Sequence, residues 1–317
     1  MIRVAAKEDE DLSTDKSQLD EATISMRGSL PIYNNPVDLG PQINTTYTET
    51  TPELSQDGLM LLFSSDRPGG FGDHDLWMST RPTVHEAFSN PVNLGPNVNS
   101  ADRELGPSMA PDGLSMWFTN ATTGQLHATK RASVHEPFGP ATVLDWPVNR
   151  LPSQPSEGIF NVTVFADSTR RTLIFETIRE QPGIGRTGRW DLAIANKTID
   201  TVCDHSEILG GPFSTVLAND GGPELSADGL ILLFHSSRPG GQKEHDDLWY
   251  TSRVTLESDW EAPKKMSSPI NSPQYDSFPT LSGDGTLVFA SNRGKSPSDY
   301  DLWLAAPKDV EAHHLPK

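Results

Sequence analysis

An internal repeat restricts what this chain can fold into more than any other feature of its sequence. The segment TPELSQDGLMLLFSSDRPGGFGDHDLW (51–77) recurs nearly unchanged as GPELSADGLILLFHSSRPGGQKEHDDLW (222–249). A third copy starts at residue 278 and a degenerate one at residue 106. The copies follow one another at intervals of roughly 56 residues, except for one gap of about twice that length. That gap predicts a fifth, divergent copy, which we assign to the region of NVTVFADSTRRTLIFETIRE and RWDLAIA.

Each copy is typical of short strands joined by tight turns. An Asp-Gly pair stands between two apolar runs in four copies, and Asp-Gly supplies the positive φ angles of a β-hairpin. The segment after the hairpin loops over and leads into Asp-Leu-Trp, which predicts a third strand, and segments such as NPVNLGPNVNS (90–100) predict a fourth. Four antiparallel strands in each of five repeats indicate an all-β fold, a five-bladed β-propeller.

The ends of the chain support a closed ring. The last copy stops after DLWLAAP without a fourth strand, whereas NPVDLGPQINT (35–45), a sibling of the fourth-strand segments, precedes the first copy. We therefore predict that the N-terminal segment supplies the outer strand of the last blade, residues 273–307, and closes the ring. Residues 1–25 are acidic and poor in large apolar side chains, which predicts a flexible tail before a propeller domain of residues 26–317.

Composition excludes several classes of function. The formal net charge is −18, and no cluster of Lys and Arg offsets it, so nucleic acid and membrane insertion are not expected. The single cysteine, Cys203, cannot form an intramolecular disulfide. The first 25 residues lack the apolar core of a signal peptide. We expect a monomer.

The pattern Pro-x-Leu-Ser-x-Asp-Gly, then Phe-x-Ser-x-Arg, then Asp-Leu-Trp resembles the repeat of TolB-type β-propellers, relatives of the WD repeat. The resemblance covers about residues 31–307. It implies the propeller fold and a periplasmic or extracellular location. It implies no single activity, because such propellers serve as docking platforms, as accessory domains of peptidases and as scaffolds of polysaccharide lyases.

Two kinds of charged residue recur on the face where the first strand of each repeat begins. An acidic residue stands three positions before the anchoring proline, and an arginine stands four positions after the second-strand phenylalanine. The acidic residues are Glu49, Glu104, Asp220 and Asp276, and the arginines are Arg67, Arg179, Arg238 and Arg293. One interpretation is that they form Arg-carboxylate pairs that brace the blades. The other is that they line the channel mouth and bind a polar ligand.

Departures from the repeat are candidates for function, because a structural device should recur in every blade. The second repeat lacks the arginine and carries Asn120 instead, so we expect Glu104 to be free at the channel mouth, with Trp117 available for ligand stacking. His235 replaces a small residue of the other repeats and is either a hydrogen-bonded packing residue or a ligand or base. No spacing typical of a metal site occurs, and we expect no cofactor; the Asp-rich loops FGDHD and EHDD resemble no EF-hand.

Two functional hypotheses follow. In the first, the propeller is a non-catalytic module that binds a protein or a saccharide over the channel face. In the alternative, it is a carbohydrate-active glycoside hydrolase or polysaccharide lyase with carboxylates in the central funnel, drawn from Glu49, Glu104, Glu157, Asp220 and Asp276. A carboxylate pair spaced as in glycosidases and not neutralised by arginine would favour the alternative.

Overall fold

The structure is a computed structural model. It describes residues 30–144, 159–166, 170–181, 185–198, 207–210, 218–241, 245–296 and 299–308. The described residues form the strands β1 (Val37–Asp38), β2 (Glu49–Leu54), β3 (Met60–Ser65), β4 (Asp75–Thr80), β5 (Val92–Asn93), β6 (Glu104–Met109), β7 (Ser115–Asn120), β8 (Gln125–Lys130), β9 (Thr142–Val143), β10 (Ile159–Ala166), β11 (Arg170–Gln181), β12 (Gly185–Thr198), β13 (Glu207–Ile208), β14 (Asp220–Leu225), β15 (Ile231–Ser236), β16 (Asp247–Ser252), β17 (Lys264–Lys265), β18 (Asp276–Leu281), β19 (Leu287–Ser291) and β20 (Asp301–Ala305).

These strands form five four-stranded antiparallel sheets, and the predicted five-bladed propeller is confirmed. Blades one to four are β2–β5, β6–β9, β10–β13 and β14–β17, each in chain order from the innermost strand outward. The hairpin glycines of the Asp-Gly pairs have φ angles between 68° and 83°, as predicted. No helix of the described residues is long and apolar enough to cross a membrane.

Blade five combines the two ends of the chain, as predicted. Its sheet order is β18, β19, β20 and then β1, with Val37 opposite Leu304 and Asp38 opposite Trp303. Ile43 is fully buried in the seam between blades one and five. The N-terminal segment therefore covers the outer edge of the last blade and contributes to the core.

Hydrophobic clusters fill the seams between blades. One holds Leu61 and Phe63 of blade one against Val288 and Leu302 of blade five. The innermost strands leave this apolar core and line the central channel, where each is interrupted by a bulge, for example between Thr50 and Glu53. The bulge in each inner strand determines which side chains point into the channel.

Candidate functional site

The recurring arginines and acids form the brace that one interpretation predicted. The guanidinium of Arg67 lies 3.0 Å from the Glu49 carboxylate, and Arg238 lies 2.8 Å from Asp220. Arg293 pairs with Asp276 in the same way at 2.5 Å. The Arg67 guanidinium also lies over the Phe63 ring, 4.8 Å from its centroid, and the same contact recurs in the other two blades. The described blades one, four and five therefore share one bracing device.

These braced acids are deeply buried. Glu49 is fully buried and Asp220 is 2% exposed. Burial raises the pKa of both carboxyls, and the paired arginine lowers each pKa in opposition to burial. Because the carboxylates are enclosed and already paired, the geometry favours a structural role for these acids over contact with a ligand.

Blade two lacks the arginine and keeps the other hydrogen bonds of this position, which also occur from Thr45 to Glu49 and from Ser272 to Asp276. Glu104 is 1% exposed, so it is not free at the channel mouth. Its carboxylate accepts bonds from the Ser100 hydroxyl at 2.6 Å and the Ser100 N–H at 3.1 Å, with the Asn120 amide at 3.4 Å. Burial raises the pKa of Glu104, and the charges of Asp75 and Asp102 raise it further. Glu104 thus keeps its repeat position without an arginine.

The aromatic candidate also lies in the core. Trp117 is 5% exposed and packs against Leu126, Val162 and Leu173 at the seam between blades two and three. It does not offer a stacking surface. Trp190, to which the sequence analysis gave no role, is partly exposed beside Phe160, with the two ring centroids 4.7 Å apart.

His235 is a packing residue within a buried polar group. Its Nδ1 accepts the backbone N–H of Phe278 at 3.3 Å, and burial lowers its pKa, although the charges of Glu176 and Asp220 oppose this. Glu176 occupies the same repeat position in blade three and accepts bonds from Asn161 at 2.7 Å and from the Gly222 N–H at 3.1 Å. Both side chains therefore satisfy backbone groups of the next blade. Glu157 and the side chain of Arg179 lie outside the described residues.

A belt of five side chains, one from each blade, surrounds the channel below the bulges. Each lies two positions after the bulged residue of its inner strand, and its side-chain oxygen accepts a backbone N–H from the next blade. The donor is the residue that follows the equivalent position in that blade. Its members are Glu53, Ser108, Thr163, Glu224 and Thr280. In this order, the distances to the N–H donors are 2.7, 3.3, 3.1, 3.3 and 3.0 Å. The last of these bonds joins blade five to blade one.

Two members of the belt are carboxylates that meet at one hydroxyl. The Thr280 Oγ1 lies 3.3 Å from Oε2 of Glu53 and 3.3 Å from Oε1 of Glu224. No cationic side chain among the described residues pairs with either carboxylate. Two oxygens that each lie 3.3 Å from one hydroxyl are at most about 6.6 Å apart. This upper limit lies within the spacing of the acid pairs in glycosidases, about 5 to 9.5 Å.

Burial perturbs both carboxyl groups, and the charge of Glu224 adds to the effect on Glu53. The pKa of Glu53 is raised well above its usual value, first by burial and then by the charge of Glu224. Burial raises the pKa of Glu224 to about 7. A carboxyl that keeps its proton near neutral pH can act as a general acid, and its ionised neighbour can act as a base.

Two small cavities contact this pair. One of about 20 Å³, the upper cavity, lies toward the bulges and is lined by Glu53, Glu224, Asn161 and Phe278, among others. The other, of about 30 Å³, lies on the hairpin side and also contacts both glutamates. Each has room for about one water molecule. Among the described residues no group of three or more His, Cys, Asp or Glu side chains is arranged to hold a metal ion.

The sequence analysis missed Glu53 and Glu224 because it followed residues that recur. The signal was present in the residue after the anchoring proline, which is Glu53 in blade one, Ser108 in blade two, Glu224 in blade four and Thr280 in blade five. That position varies in charge while its neighbours do not. The bulge, which no sequence pattern revealed, turns it toward the channel.

Solved structures with the same fold come from sugar-cleaving enzymes. The α-L-arabinofuranosidase of Podospora anserina, solved with cellotriose, matches with a TM-score of 0.56 and 11% identity over 87% of this chain and 98% of that one. The catalytic domain of the GH62 α-L-arabinofuranosidase of Coprinopsis cinerea gives 0.59 and 13% over 88% and 99%. An α-L-arabinofuranosidase from Lactobacillus brevis gives 0.53 and 12% over 87% and 94%.

At this identity the similarity establishes the fold alone. No protein-family model matches the chain, and no curated protein matches it in sequence. This comparison contradicts the first hypothesis, a non-catalytic binder, and agrees better with the alternative, because several of the similar structures, GH43 and GH62 members among them, are of glycoside hydrolases.

Proposed function

We propose that this chain is a glycoside hydrolase whose acid pair is Glu53 and Glu224 in the central channel. The observation that carries the proposal is the contact of both carboxylates with the Thr280 hydroxyl, at 3.3 Å each, without a neutralising cation among the described residues. This is the criterion that separated hydrolase from binder in the sequence analysis. Its charge requirement, the absence of a neutralising arginine, is met among the described residues by Glu53 and Glu224, which are not among the acids predicted.

The pair has the chemistry that glycoside hydrolysis requires. Glu53, whose pKa is raised by burial and by the charge of Glu224, donates a proton to the departing glycosidic oxygen as the bond to the anomeric carbon breaks. Glu224 accepts a proton from the water molecule whose oxygen bonds to that carbon. Room for about one water beside the pair is the ground on which we propose a single displacement with inversion, although the two oxygens, at most about 6.6 Å apart, lie at the lower limit of the spacing in inverting enzymes.

The substrate class follows from charge and from the channel wall. A net charge of −18 disfavours anionic glycans, so we propose a neutral sugar. The Oδ1 atom of Asn161 is buried, lines the upper cavity and has no partner among the described residues, which makes it available to a sugar hydroxyl. The similar structures named as α-L-arabinofuranosidases make arabinofuranosides the first substrates to test. The TolB-type repeat assignment stays a prediction supported by the sequence motifs.

The test is an assay with nitrophenyl α-L-arabinofuranoside, β-D-xyloside and β-D-galactoside and with neutral polysaccharides. We expect hydrolysis of at least one, with kcat/KM lowered about 100-fold or more by Glu53→Gln and by Glu224→Gln. Glutamine keeps an oxygen for the belt bond, so both variants should fold. Glu261→Gln, an exposed change of the same type, is the control and should be neutral.

Two outcomes would contradict the proposal. The first is that no glycoside in the panel is hydrolysed. The second is that Glu53→Gln and Glu224→Gln proteins retain the activity of the Glu261→Gln control. Proton NMR of the released sugar reports the anomer, and retention would contradict the single displacement while leaving the acid pair in place.

A further inference from the structure

The inner strand of every blade has one residue with a positive φ angle, at the same repeat position. These residues are Thr51, Gly106, Asn161, Gly222 and Phe278, with φ angles of 45°, 58°, 38°, 55° and 52°. Together they form a ring at the level of the upper cavity, directly above the acid pair. A positive φ is strained for any residue except glycine, and it is a clear outlier for a bulky side chain.

Hydrogen bonds account for two of the strained residues. The Thr51 hydroxyl donates to Ser64 at 2.9 Å and accepts the Gly106 N–H at 3.2 Å. Asn161 donates to Glu176 at 2.7 Å. In both cases the side chain gives the structure a bond across or within a seam that glycine could not make.

The two glycines leave space for their neighbours. A Cβ atom at Gly106 would lie 2.7 Å from Oδ1 of Asn161. One at Gly222 would lie 2.9 Å from Cδ1 of Phe278 and 2.7 Å from Nδ1 of His235. The ring is therefore filled from blades one, three and five, and Phe278 occupies the space that Gly222 leaves open.

Phe278 is the large side chain of this ring, and it makes no side-chain hydrogen bond. Its ring lies edge-on against His235, with centroids 4.7 Å apart at 77°, and it remains partly exposed. Phe278 also packs against the core cluster between blades one and five, and it lines the upper cavity together with Glu53 and Glu224.

We propose that Phe278 closes the channel mouth and sets the size of the group that reaches Glu53 and Glu224. The proposal rests on the proposed function for its consequence in substrate choice, since a closed mouth restricts the enzyme to a small terminal sugar. The closure itself is a property of the ring and can be measured without turnover.

The test uses a water-soluble carbodiimide with a glycine ester as nucleophile, and peptide mass spectrometry to locate modified carboxyls. The variants are Phe278→Gly and Phe278→Asn, because glycine and asparagine already occupy the equivalent positions 222 and 161 and tolerate a positive φ. We expect modification of Glu53 or Glu224 to rise about tenfold in both. Phe71→Gly, a change at a 52% exposed phenylalanine outside the ring, is the control.

Unchanged modification in both folded variants would overturn the proposal. The same proteins are then assayed on nitrophenyl arabinofuranoside and on a bulkier arabinosyl oligosaccharide, where the open variants should favour the larger substrate by at least tenfold relative to wild type. Modification that rises without any hydrolysis in any protein would leave the closure in place and overturn the proposed function. An unchanged substrate ratio in labelled, active variants would overturn the role of Phe278 in substrate choice.

Discussion

Glu49 and Glu53 lie in the same strand, β2, and Asp220 and Glu224 stand in the same relation in β14. All four are at most 7% exposed. The outer member of each couple is neutralised by an arginine, Arg67 or Arg238. The inner member has no such partner among the described residues, and burial raises its pKa. The bulge between the two positions turns one acid into the blade and the other toward the channel.

The brace and the belt differ in the residue types that they require. The brace recurs with the same residue types, whereas the belt requires only an acceptor, and a hydroxyl suffices in Ser108, Thr163 and Thr280. Carboxylates at Glu53 and Glu224 carry a desolvation penalty that a hydroxyl would avoid. A locally unfavourable choice of this kind is typical of a functional position.

Removing a braced acid should have the largest effect on stability. Asp220→Asn leaves Arg238, 6% exposed, without its carboxylate, and breaking a buried pair in this way costs about 3–5 kcal/mol. Chemical denaturation at pH 7 measures the free energy of unfolding. Asp259→Asn, an exposed change of the same type, is the control. A loss below about 1 kcal/mol relative to that control would remove the distinction between braced and unbraced acids.

Replacing an unbraced acid should change the pH dependence of stability. The folded pKa of Glu224, about 7, exceeds its usual value, so its contribution is fully present below about pH 4.5 and is lost as the pH rises through 7. Glutamine does not ionise, so the Glu224→Gln variant does not lose this contribution as the pH rises. We expect the free energy of unfolding of the variant, relative to wild type, to increase by about 3 kcal/mol between pH 4.5 and 8.

Denaturation curves at several pH values measure this difference, with Glu261→Gln as the exposed control. The two proteins should converge at low pH, where Glu224 is protonated and resembles glutamine. A difference between wild type and Glu224→Gln that does not depend on pH would show that folding does not raise the pKa of Glu224.

The fold could be predicted from sequence because its determinants are local and repeated. The Asp-Gly hairpins, the Asp-Leu-Trp strands and the sibling segment at residues 35–45 each carry their own signal. The candidate site could not, because Glu53 reaches the channel only through a bulge and meets Glu224 only once the ring closes. Trp117 illustrates the same limit, since a tryptophan in an irregular repeat can be core or surface, and packing against blade three decided it.

Blade two provides the smallest expected effect and the sharpest form of the comparison. Glu104 occupies the position of Glu49 and accepts the bonds from Ser100 and Asn120 that match those of Glu49 to Thr45 and Ser65, but it has no arginine. Glu104→Gln gives up one accepted N–H bond and relieves repulsion from Asp75 and Asp102. We expect these to offset one another to within about 1 kcal/mol.

The missing arginine can be restored to test this account. In blade one the N–H of Arg67 donates to the Ser65 hydroxyl, and in blade two the N–H of Thr122 donates to Oδ1 of Asn120 at the matching position. Thr122→Arg should therefore direct a guanidinium toward Glu104 and raise the melting temperature, but not when Glu104→Gln is also present. A double-mutant cycle by thermal denaturation measures the coupling between the two positions. Additive effects of the two changes would show that blade two is already braced by other means. A Glu104→Gln protein destabilised as much as Asp220→Asn would show the same, and the missing arginine would then not distinguish blade two from the others.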